Sequence, residues 1–183
     1  MQEVCREAGL SPGSVYRYYR AKEDIIAALV EGACDENLAL IEGVKGRADI
    51  ANALYDLTDA VLERLLDQTL CVLHIEANAE ALRNPRMAEM VAQSDGSNLS
   101  ALAETLHDAQ KRGTIDAELD PAMSAELLIA LMEGLAMRKG LNPRLDTNAH
   151  GPIIKTLIAR FLKMDVTHKT TNPSHESIGE ENP

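Results

Sequence analysis

Aromatic residues are scarce in this chain: its 183 residues include four tyrosines, one phenylalanine and no tryptophan. A core must therefore consist of Ala, Leu, Ile, Val and Met, which are mostly good helix formers. The hydrophobic content of 45% is ordinary for a folded globular protein. The length allows a well-buried core plus a small appendage. Together these features predict an all-α protein.

Long apolar runs and paired cysteines are also missing. No segment approaches the roughly 18 apolar residues of a membrane span, and no charged-then-apolar leader opens the chain. We therefore expect no membrane partner, with the cytoplasm as the default location. Cys5, Cys34 and Cys71 lack paired spacing, which argues against a disulfide framework. Each is expected to be a buried thiol, with a redox sensor as the alternative.

Patterns typical of enzymes are absent from the sequence. There is no phosphate-binding Gly loop and no Gly-x-Ser-x-Gly elbow. His74 and Glu76 have the spacing of a deaminase His-x-Glu, but no Pro-Cys-x-x-Cys follows. His74, His107 and His150 are isolated on predicted helices, where histidine is more often a polar filler than a metal ligand. We expect a protein that is not an enzyme and needs no cofactor or metal.

The charge is unevenly distributed along the chain. The net charge is −11, yet residues 1–22 hold four basic and two acidic side chains. The remaining residues hold 14 basic and 27 acidic side chains. Only the N-terminal region therefore suits a polyanion, whereas the body repels one. The acidic faces of the body are otherwise expected to be ordinary solvated surface.

Residues 1–30 contain the signals of two short helices joined by a tight turn. Gly9 is suited to end the first helix. Ser11 can cap the second helix, and Pro12 fits its first position. The second helix is predicted to run through Tyr19. This spacing is that of a helix-turn-helix, whose second helix enters the major groove of DNA.

Three of the five aromatic residues lie within this second helix. Tyr16, Tyr18 and Tyr19 cannot all face one core, because successive residues project about 100° apart. We predict that Tyr19 turns inward beside Val15, while Tyr16 and Tyr18 point outward with Arg17. Exposed tyrosines among arginines suit contacts to phosphates and base edges. The alternative is an ordinary surface helix whose tyrosines snorkel, with the ring against the protein and the hydroxyl in solvent.

The stretch AGLSPGSVYRYY followed by AKEDIIAALV resembles the tetracycline-repressor-like (TetR) transcriptional regulators. The resemblance covers residues 1–30 closely, and the rest of the chain agrees in its helical layout. It implies DNA contacts from the turn, the recognition helix and the first residue of the next helix. These map onto Ser11, Pro12, Gly13, Ser14, Tyr16, Arg17, Tyr18 and Lys22. A lysine at a helix N-terminus forms an anion site with the free backbone N–H groups.

The sequence departs from the family pattern in two places. Family members have a complete helix ahead of the segment that begins here at Met1. Its absence would reflect a start codon assigned too late, a shortened chain or a real loss, and would leave the DNA-binding domain incomplete. Ala21 also stands where a capping residue is expected, at a cost of about 1 kcal/mol.

The body is predicted to contain further helices around a ligand pocket. A long helix from Lys22 to the glycines at 43 and 46 would connect the two regions, and another would be interrupted or kinked at residues 94–97. The family resemblance favours a pocket. Met side chains suit the wall of an adaptable apolar cavity, since they are flexible and polarisable. The expected lining residues are Leu57, Val61, His74, Asn78, Met90, Leu106, His107 and Met132. The alternative is that the same residues fill an ordinary core.

The last two predicted helices, 121–140 and 149–164, are rich in apolar residues. A helix that is apolar around more than half its circumference must be covered. The family resemblance implies a homodimer through these two helices, and burial within one monomer is the alternative. The tail after residue 164 lacks periodicity and is expected to be disordered.

The sequence therefore predicts a helix-turn-helix DNA-binding domain with its connecting helix at 1–43. An effector-binding and dimerisation domain follows at 44–164, with a disordered tail at 165–183. The expected function is that of a repressor released from a palindromic operator by a small-molecule effector. The alternative is a helical dimeric small-molecule-binding protein whose truncated DNA-binding module no longer functions.

Overall fold

A computed structural model of the chain describes residues 2–64 and 67–164. Within these ranges the chain forms eight α-helices and no strand, which confirms the all-α prediction. In chain order they are α1 (Gln2–Glu7), α2 (Pro12–Tyr16), α3 (Lys22–Glu42), α4 (Ile50–Arg64), α5 (Gln68–Ala81), α6 (Pro85–Lys111), α7 (Pro121–Leu141) and α8 (Thr147–Phe161). Over the same residues, no helix has both the length and the apolar character of a membrane span.

Three helices of the body begin at capping residues. Asp67, Asn84 and Asp120 have extended backbones, and each side chain accepts hydrogen bonds from two N–H groups of the following turn. Pro85 and Pro121 come next as the first residues of α6 and α7. Proline suits this position because its missing N–H would have no partner there. These short-range signals position α5, α6 and α7 along the chain.

The main core of the body is aliphatic, as the composition predicts. It joins the end of α3 to α4, α6, α7 and α8, and Ile50, Leu106 and Leu162 are among its most deeply buried side chains. Helix α5 packs against α3, α6 and α7. The body is therefore held together by residues far apart in sequence.

Helices α5 and α7 cross at close range beside Gly140. The Gln68 side-chain N–H donates to the Gly140 carbonyl over 2.8 Å. A Cβ atom at residue 140 would lie 2.5 Å from the Ile75 Cδ1 and 3.3 Å from the backbone of Cys71. A larger residue at position 140 would therefore require the Ile75 side chain to move and the backbone at Cys71 to shift by a few tenths of an ångström.

A second, smaller core cluster lies where α3, α5 and α6 meet. Ala27, Ala77 and Met87 are buried there. Partly buried apolar side chains surround them, including Val30 and Met90. This cluster attaches the first half of α3 to the body.

Helix α6 runs through 27 residues without interruption, so the predicted break or kink at 94–97 is wrong. Gly96 lies in open space, and the Ser97 hydroxyl donates to the Gln93 carbonyl one turn earlier. A single glycine costs a helix only about 1 kcal/mol. The packing of α6 against α3, α5 and α7 offsets that cost.

The remaining helix boundaries follow the sequence pattern to within a few residues. Helix α8 begins two residues ahead of its predicted start, and Pro152 lies inside it. The predicted disordered tail, 165–183, lies outside the described residues.

Candidate nucleic-acid interface and ligand cavity

The two N-terminal helices meet at a tight turn. Gly9 has a φ of +64°, in the left-handed region that favours glycine. The Leu10 N–H donates to the Cys5 carbonyl over 2.9 Å and closes the end of α1. The Ser11 hydroxyl then accepts a hydrogen bond from the Ser14 N–H over 3.2 Å and caps α2. The predicted helix-turn-helix is therefore formed by interactions within a few residues.

Helix α2 is shorter than predicted, because it ends at Tyr16 and not at Tyr19. The N–H groups of Tyr18 and Tyr19 both donate to the Val15 carbonyl, which turns the chain towards α3. Tyr16 and Tyr18 are 49% and 75% exposed, while Tyr19 is half-buried and Val15 is buried. The outward tyrosines and Arg17 thus form an exposed tyrosine–arginine turn at residues 16–18.

The predicted DNA contacts are all exposed and lie close together along the chain. They are Ser11, Pro12, Gly13, Ser14, Tyr16, Arg17, Tyr18 and Lys22. Because none of these side chains is needed to fill the interior, they are free to contact a partner molecule.

Helix α3 begins without a capping side chain, since its N-cap residue is Ala21. The Asp24 carboxylate compensates, because it accepts hydrogen bonds from the Arg20 and Ala21 N–H groups over 2.9 and 3.1 Å. The Arg86 guanidinium of α6 lies 3.2 Å from the other Asp24 oxygen. The start of α6 therefore contacts the turn between α2 and α3.

The body encloses a cavity of about 260 Å³ between α3, α4, α5, α6, α7 and α8. Most of its wall is aliphatic, with side chains such as Val30, Leu57, Leu102 and Ile129. Helix α3 contributes residues from its middle to its end, so the helix that leaves the turn after α2 also forms part of the cavity wall. Such a cavity suits a small molecule with a mostly apolar body.

The structure brings five of the eight predicted pocket residues to this cavity and places three elsewhere. Leu57, Val61, His74, Asn78 and Met132 lie on its wall. Met90 packs instead in the small cluster between α3, α5 and α6. Leu106 is fully buried in the main core, and His107 is exposed on the opposite face of α6. Periodicity shows which residues are apolar but not which of them border an empty space.

Three polar residues on the cavity wall were not predicted from the sequence. Asp95 and Asn98 of α6 and Glu133 of α7 lie on the wall with His74. The spacing of Val91, Asp95, Asn98 and Leu102 continues one face of α6, so this signal was present in the sequence. It was missed because residues 94–97 were interpreted as a break in the helix.

His74 is the centre of this polar part of the cavity. Its Nε2 lies 3.0 Å from the Asn78 side-chain nitrogen and 4.0 Å from a Glu133 oxygen. The Asn78 amide N–H donates to Nε2 when that nitrogen carries no proton. The two cavity carboxyl groups then lack a permanent cationic neighbour within this cluster.

Burial changes the titration of these groups. It raises the pKa of Asp95 above its ordinary value, and a protonated His74 only partly opposes this effect. Burial also raises the pKa of Glu133, with His74 opposing and Asp95 reinforcing the shift. The pKa of the Cys34 thiol is raised by burial as well. A raised pKa means less of the nucleophilic thiolate, which argues against a redox role for Cys34.

Two family descriptions match the chain. Residues 51–163 match "BetI-type transcriptional repressor, C-terminal", and residues 1–29 match "Bacterial regulatory proteins, tetR family". The chain belongs to the TetR family. It is therefore a helix-turn-helix transcriptional regulator and not an enzyme.

Individual relatives of this TetR-family chain agree with that assignment. The HTH-type transcriptional regulator UidR of Escherichia coli K12 is 27% identical over 139 residues, which cover 74% of this chain and 68% of UidR. The structure of Salmonella enterica GusR is similar with a TM-score of 0.70 and 26% identity, covering 89% of this chain and 84% of GusR. The reduced form of E. coli NemR shares the fold, with a TM-score of 0.66, 17% identity and coverage of 86% and 84%.

The described part of this TetR-family chain contains no group of three or more His, Cys, Asp or Glu side chains placed to hold a metal ion. Of the three cysteines, Cys5 and Cys71 are buried and Cys34 is half-buried on the cavity wall. Among the described residues, the exposed turn at 16–18 and the cavity are the candidate sites.

Proposed function

We propose that this TetR-family regulator is a repressor that binds a palindromic operator as a homodimer and is released by a small molecule in the cavity. The observation that carries the proposal is the path from the tyrosine–arginine turn along α3 to the cavity wall. One helix begins directly after the exposed turn and ends beside the cavity.

The proposed DNA contacts are the exposed residues of the turn and of α2, together with Lys22. The Tyr16 and Tyr18 hydroxyls and the Arg17 guanidinium supply donors for phosphates and base edges. Lys22 and the N–H groups at the start of α3 suit a phosphate. The basic balance of residues 1–22 and the acidic body orient the molecule so that this end approaches the DNA.

A stripe of side chains on α7 supports the homodimer. It follows helical spacing along the whole helix, has small residues at its centre and is exposed at every position: Met123, Leu127, Ala130, Gly134, Met137 and Leu141. On α8, Ile153 and Leu157 are 68% and 50% exposed. Small residues at the middle of a helix allow a second helix to approach closely. A second copy of the chain, related by a two-fold axis, would cover this α7–α8 face.

The dimer is tested by placing a charge on the α7–α8 face. Leu127→Glu is expected to convert the dimer into a monomer in sedimentation-velocity experiments, because a dimer would bury that charge unpaired. Leu82→Glu is the matched control, since Leu82 is 89% exposed at the end of α5 and lies away from this face. A wild-type chain that sediments as a monomer would contradict the proposal.

Release from DNA is explained by α3, the helix that begins after the turn and lines the cavity. A ligand among Leu57, Val61, His74, Asn78 and Met132 would favour the conformer in which α3 accommodates it. Because α3 begins at Lys22, a tilt near the cavity becomes a displacement of α2. In a dimer this changes the spacing of the two recognition helices, which must match half-sites about one DNA turn apart.

The DNA contacts are tested with duplex DNA selected by the chain from a randomised pool. Tyr16→Ala is expected to weaken binding about tenfold or more, since the side chain supplies contacts in the interface. Lys22→Ala is expected to lower the slope of log affinity against log salt by about 1, as for the loss of one phosphate contact.

The matched control is Lys111→Ala, which removes the same charge from an exposed position at the far end of α6. Its affinity and salt slope are expected to equal those of the wild type. If Tyr16→Ala and Lys22→Ala bind like this control, the DNA assignment is wrong. If the wild-type chain selects no duplex at all, the alternative of a ligand-binding protein with a non-functional DNA module is favoured.

A further inference from the structure

The polar groups of the cavity are unequally divided between donors and acceptors. The Thr58 hydroxyl donates to the Leu54 carbonyl of its own helix. The Arg64 guanidinium is engaged by the Glu36 carboxylate and the Ala33 carbonyl. These two donors on the cavity wall are therefore already used within the protein.

The acceptors, in contrast, are unfilled. The Asn98 side-chain oxygen is fully buried and accepts no hydrogen bond within the described residues. Glu133 approaches His74 only at 4.0 Å, a distance that is too long for a hydrogen bond. Asp95 forms no hydrogen bond or ion pair with any described residue, and His74 is a titratable neighbour. Leaving the buried Asn98 oxygen unpaired is costly, whereas Asp95 and Glu133 are partly exposed and also contact solvent.

These acceptors lie near one another. Asp95 and Asn98 are three residues apart on α6, which places them on the same face of that helix. Asp95 and Glu133 repel each other's charge, and His74 is close to both. The rest of the cavity wall is dominated by Leu, Ile, Val, Ala and Met side chains. The cavity therefore has an acidic, hydrogen-bond-accepting part and a large apolar part.

We infer that the cavity binds an amphiphilic organic amine in its protonated form, with its N–H groups on Asp95, Asn98 and Glu133 and its hydrocarbon part against the apolar wall. A quaternary ammonium ligand has no N–H group and would therefore leave the Asn98 oxygen unpaired. A carboxylate ligand would be repelled by both acidic side chains. This inference rests on the proposed function, because it names the class of effector that the cavity takes.

The probe ligand is chosen for its chemistry and for a small apolar body that suits a cavity of about 260 Å³. An unbranched alkylamine with eight carbons supplies one protonated amine and one hydrocarbon chain. It also has a neutral, an anionic and a quaternary counterpart of the same chain length.

The test compares n-octylamine, octanol, octanoate and octyltrimethylammonium at pH 7 by isothermal titration calorimetry on the full chain. We expect octylamine to bind at least about tenfold more tightly than the other three, because hydrogen bonds between charged partners are worth that factor or more. Octanoate that binds as tightly as octylamine would overturn the inference. An equal affinity for octyltrimethylammonium would overturn the role of the Asn98 oxygen.

Two substitutions of nearly equal shape locate the binding to the acidic groups. Asp95→Asn and Glu133→Gln are each expected to weaken octylamine binding about tenfold and to leave octanol binding unchanged. Unchanged octanol binding shows that the cavity itself is intact. Glu89→Gln removes a negative charge from an exposed position of α6 and is expected to change neither affinity. An octylamine affinity that is unchanged by all three substitutions would overturn the inference.

The result is independent of the repressor mechanism. Octylamine that binds as described but leaves duplex DNA bound would support the cavity assignment and contradict ligand release. Normal DNA binding together with no octylamine binding would contradict the cavity assignment and leave the DNA contacts standing.

Discussion

The N-terminal module, residues 2–22, and the helical body differ in what holds them together. Among residues 2–22, two side chains, Cys5 and Val15, are buried. Within the module, hydrogen bonds join residues at most five positions apart, such as the Ser14 N–H with the Ser11 hydroxyl and the Leu10 N–H with the Cys5 carbonyl. The Asp24 carboxylate, just beyond it in α3, holds the Arg20 and Ala21 N–H groups. The body depends on contacts between distant residues, such as Gln68 with Gly140. A change in the core of the body should therefore affect folding most, while a change on the exposed surface of the module should affect DNA binding most.

The largest effect is expected from Leu106→Ala. Leu106 is fully buried in the main core and does not line the cavity. The substitution is expected to lower the free energy of unfolding by about 2–5 kcal/mol, through lost burial and the space left behind. Urea unfolding followed by far-UV circular dichroism measures it. Leu10→Ala, at a 54% exposed position of the module, is the control and should change stability little.

A smaller effect is expected where α5 and α7 cross. Gly140→Ala would place a Cβ atom 2.5 Å from the Ile75 Cδ1 and 3.3 Å from the backbone of Cys71. Relief of this overlap is expected to cost about 1–3 kcal/mol of stability. Gly96→Ala is the control, because the space around Gly96 in α6 is open. That variant should be more stable than the wild type, and equal losses in both variants would contradict a close crossing.

The module is expected to respond to the loss of a single capping group. Asp24→Ala removes the acceptor of the Arg20 and Ala21 N–H groups and should cost about 1 kcal/mol. Faster hydrogen exchange of these two amides is the measurement. Glu31→Ala, on the exposed surface of α3, should leave both rates unchanged. Unchanged rates in Asp24→Ala would show that the turn is held by something other than this carboxylate.

The smallest effect is a gain in stability in the body. Asp95→Asn is expected to stabilise the chain at pH 7 by about 0.5 kcal/mol, because binding sites often sacrifice stability for function. Burial raises the pKa of Asp95, so the folded state favours the protonated form. The stability that protonation supplies is complete below the ordinary Asp pKa of about 3.9 and is lost as pH rises through the raised folded value. The advantage of Asp95→Asn should therefore grow as pH rises through that window and be complete above it, as measured by thermal unfolding at several pH values.

The same contrast explains what the sequence could predict. Gly9, Ser11 and Pro12 signal the helix-turn-helix because each acts on residues a few positions away. The start of α7 after Asp120 was predicted for the same reason. Where α2 ends was harder to predict, because the tyrosines that follow it are as compatible with a helix as with a turn.

The cavity shows where prediction from sequence stops. Its wall takes side chains from six helices, and only their packing decides which apolar residues border empty space. Leu57 and Met132 lie on the wall, whereas Leu106, with the same apolar character, fills the core. Asp95 was not predicted because the polar residues around it suggested a break in α6. Its place on the face with Val91 was the available signal.

The central claim is that residues 11–22 contact DNA while the acidic body does not. The most direct measurement is hydrogen–deuterium exchange of the full chain with and without a duplex that it has selected. We predict that the DNA slows exchange in residues 11–22 and leaves the amides of α7 and α8 unchanged. Slower exchange confined to the body, with no change in residues 11–22, would contradict the claim.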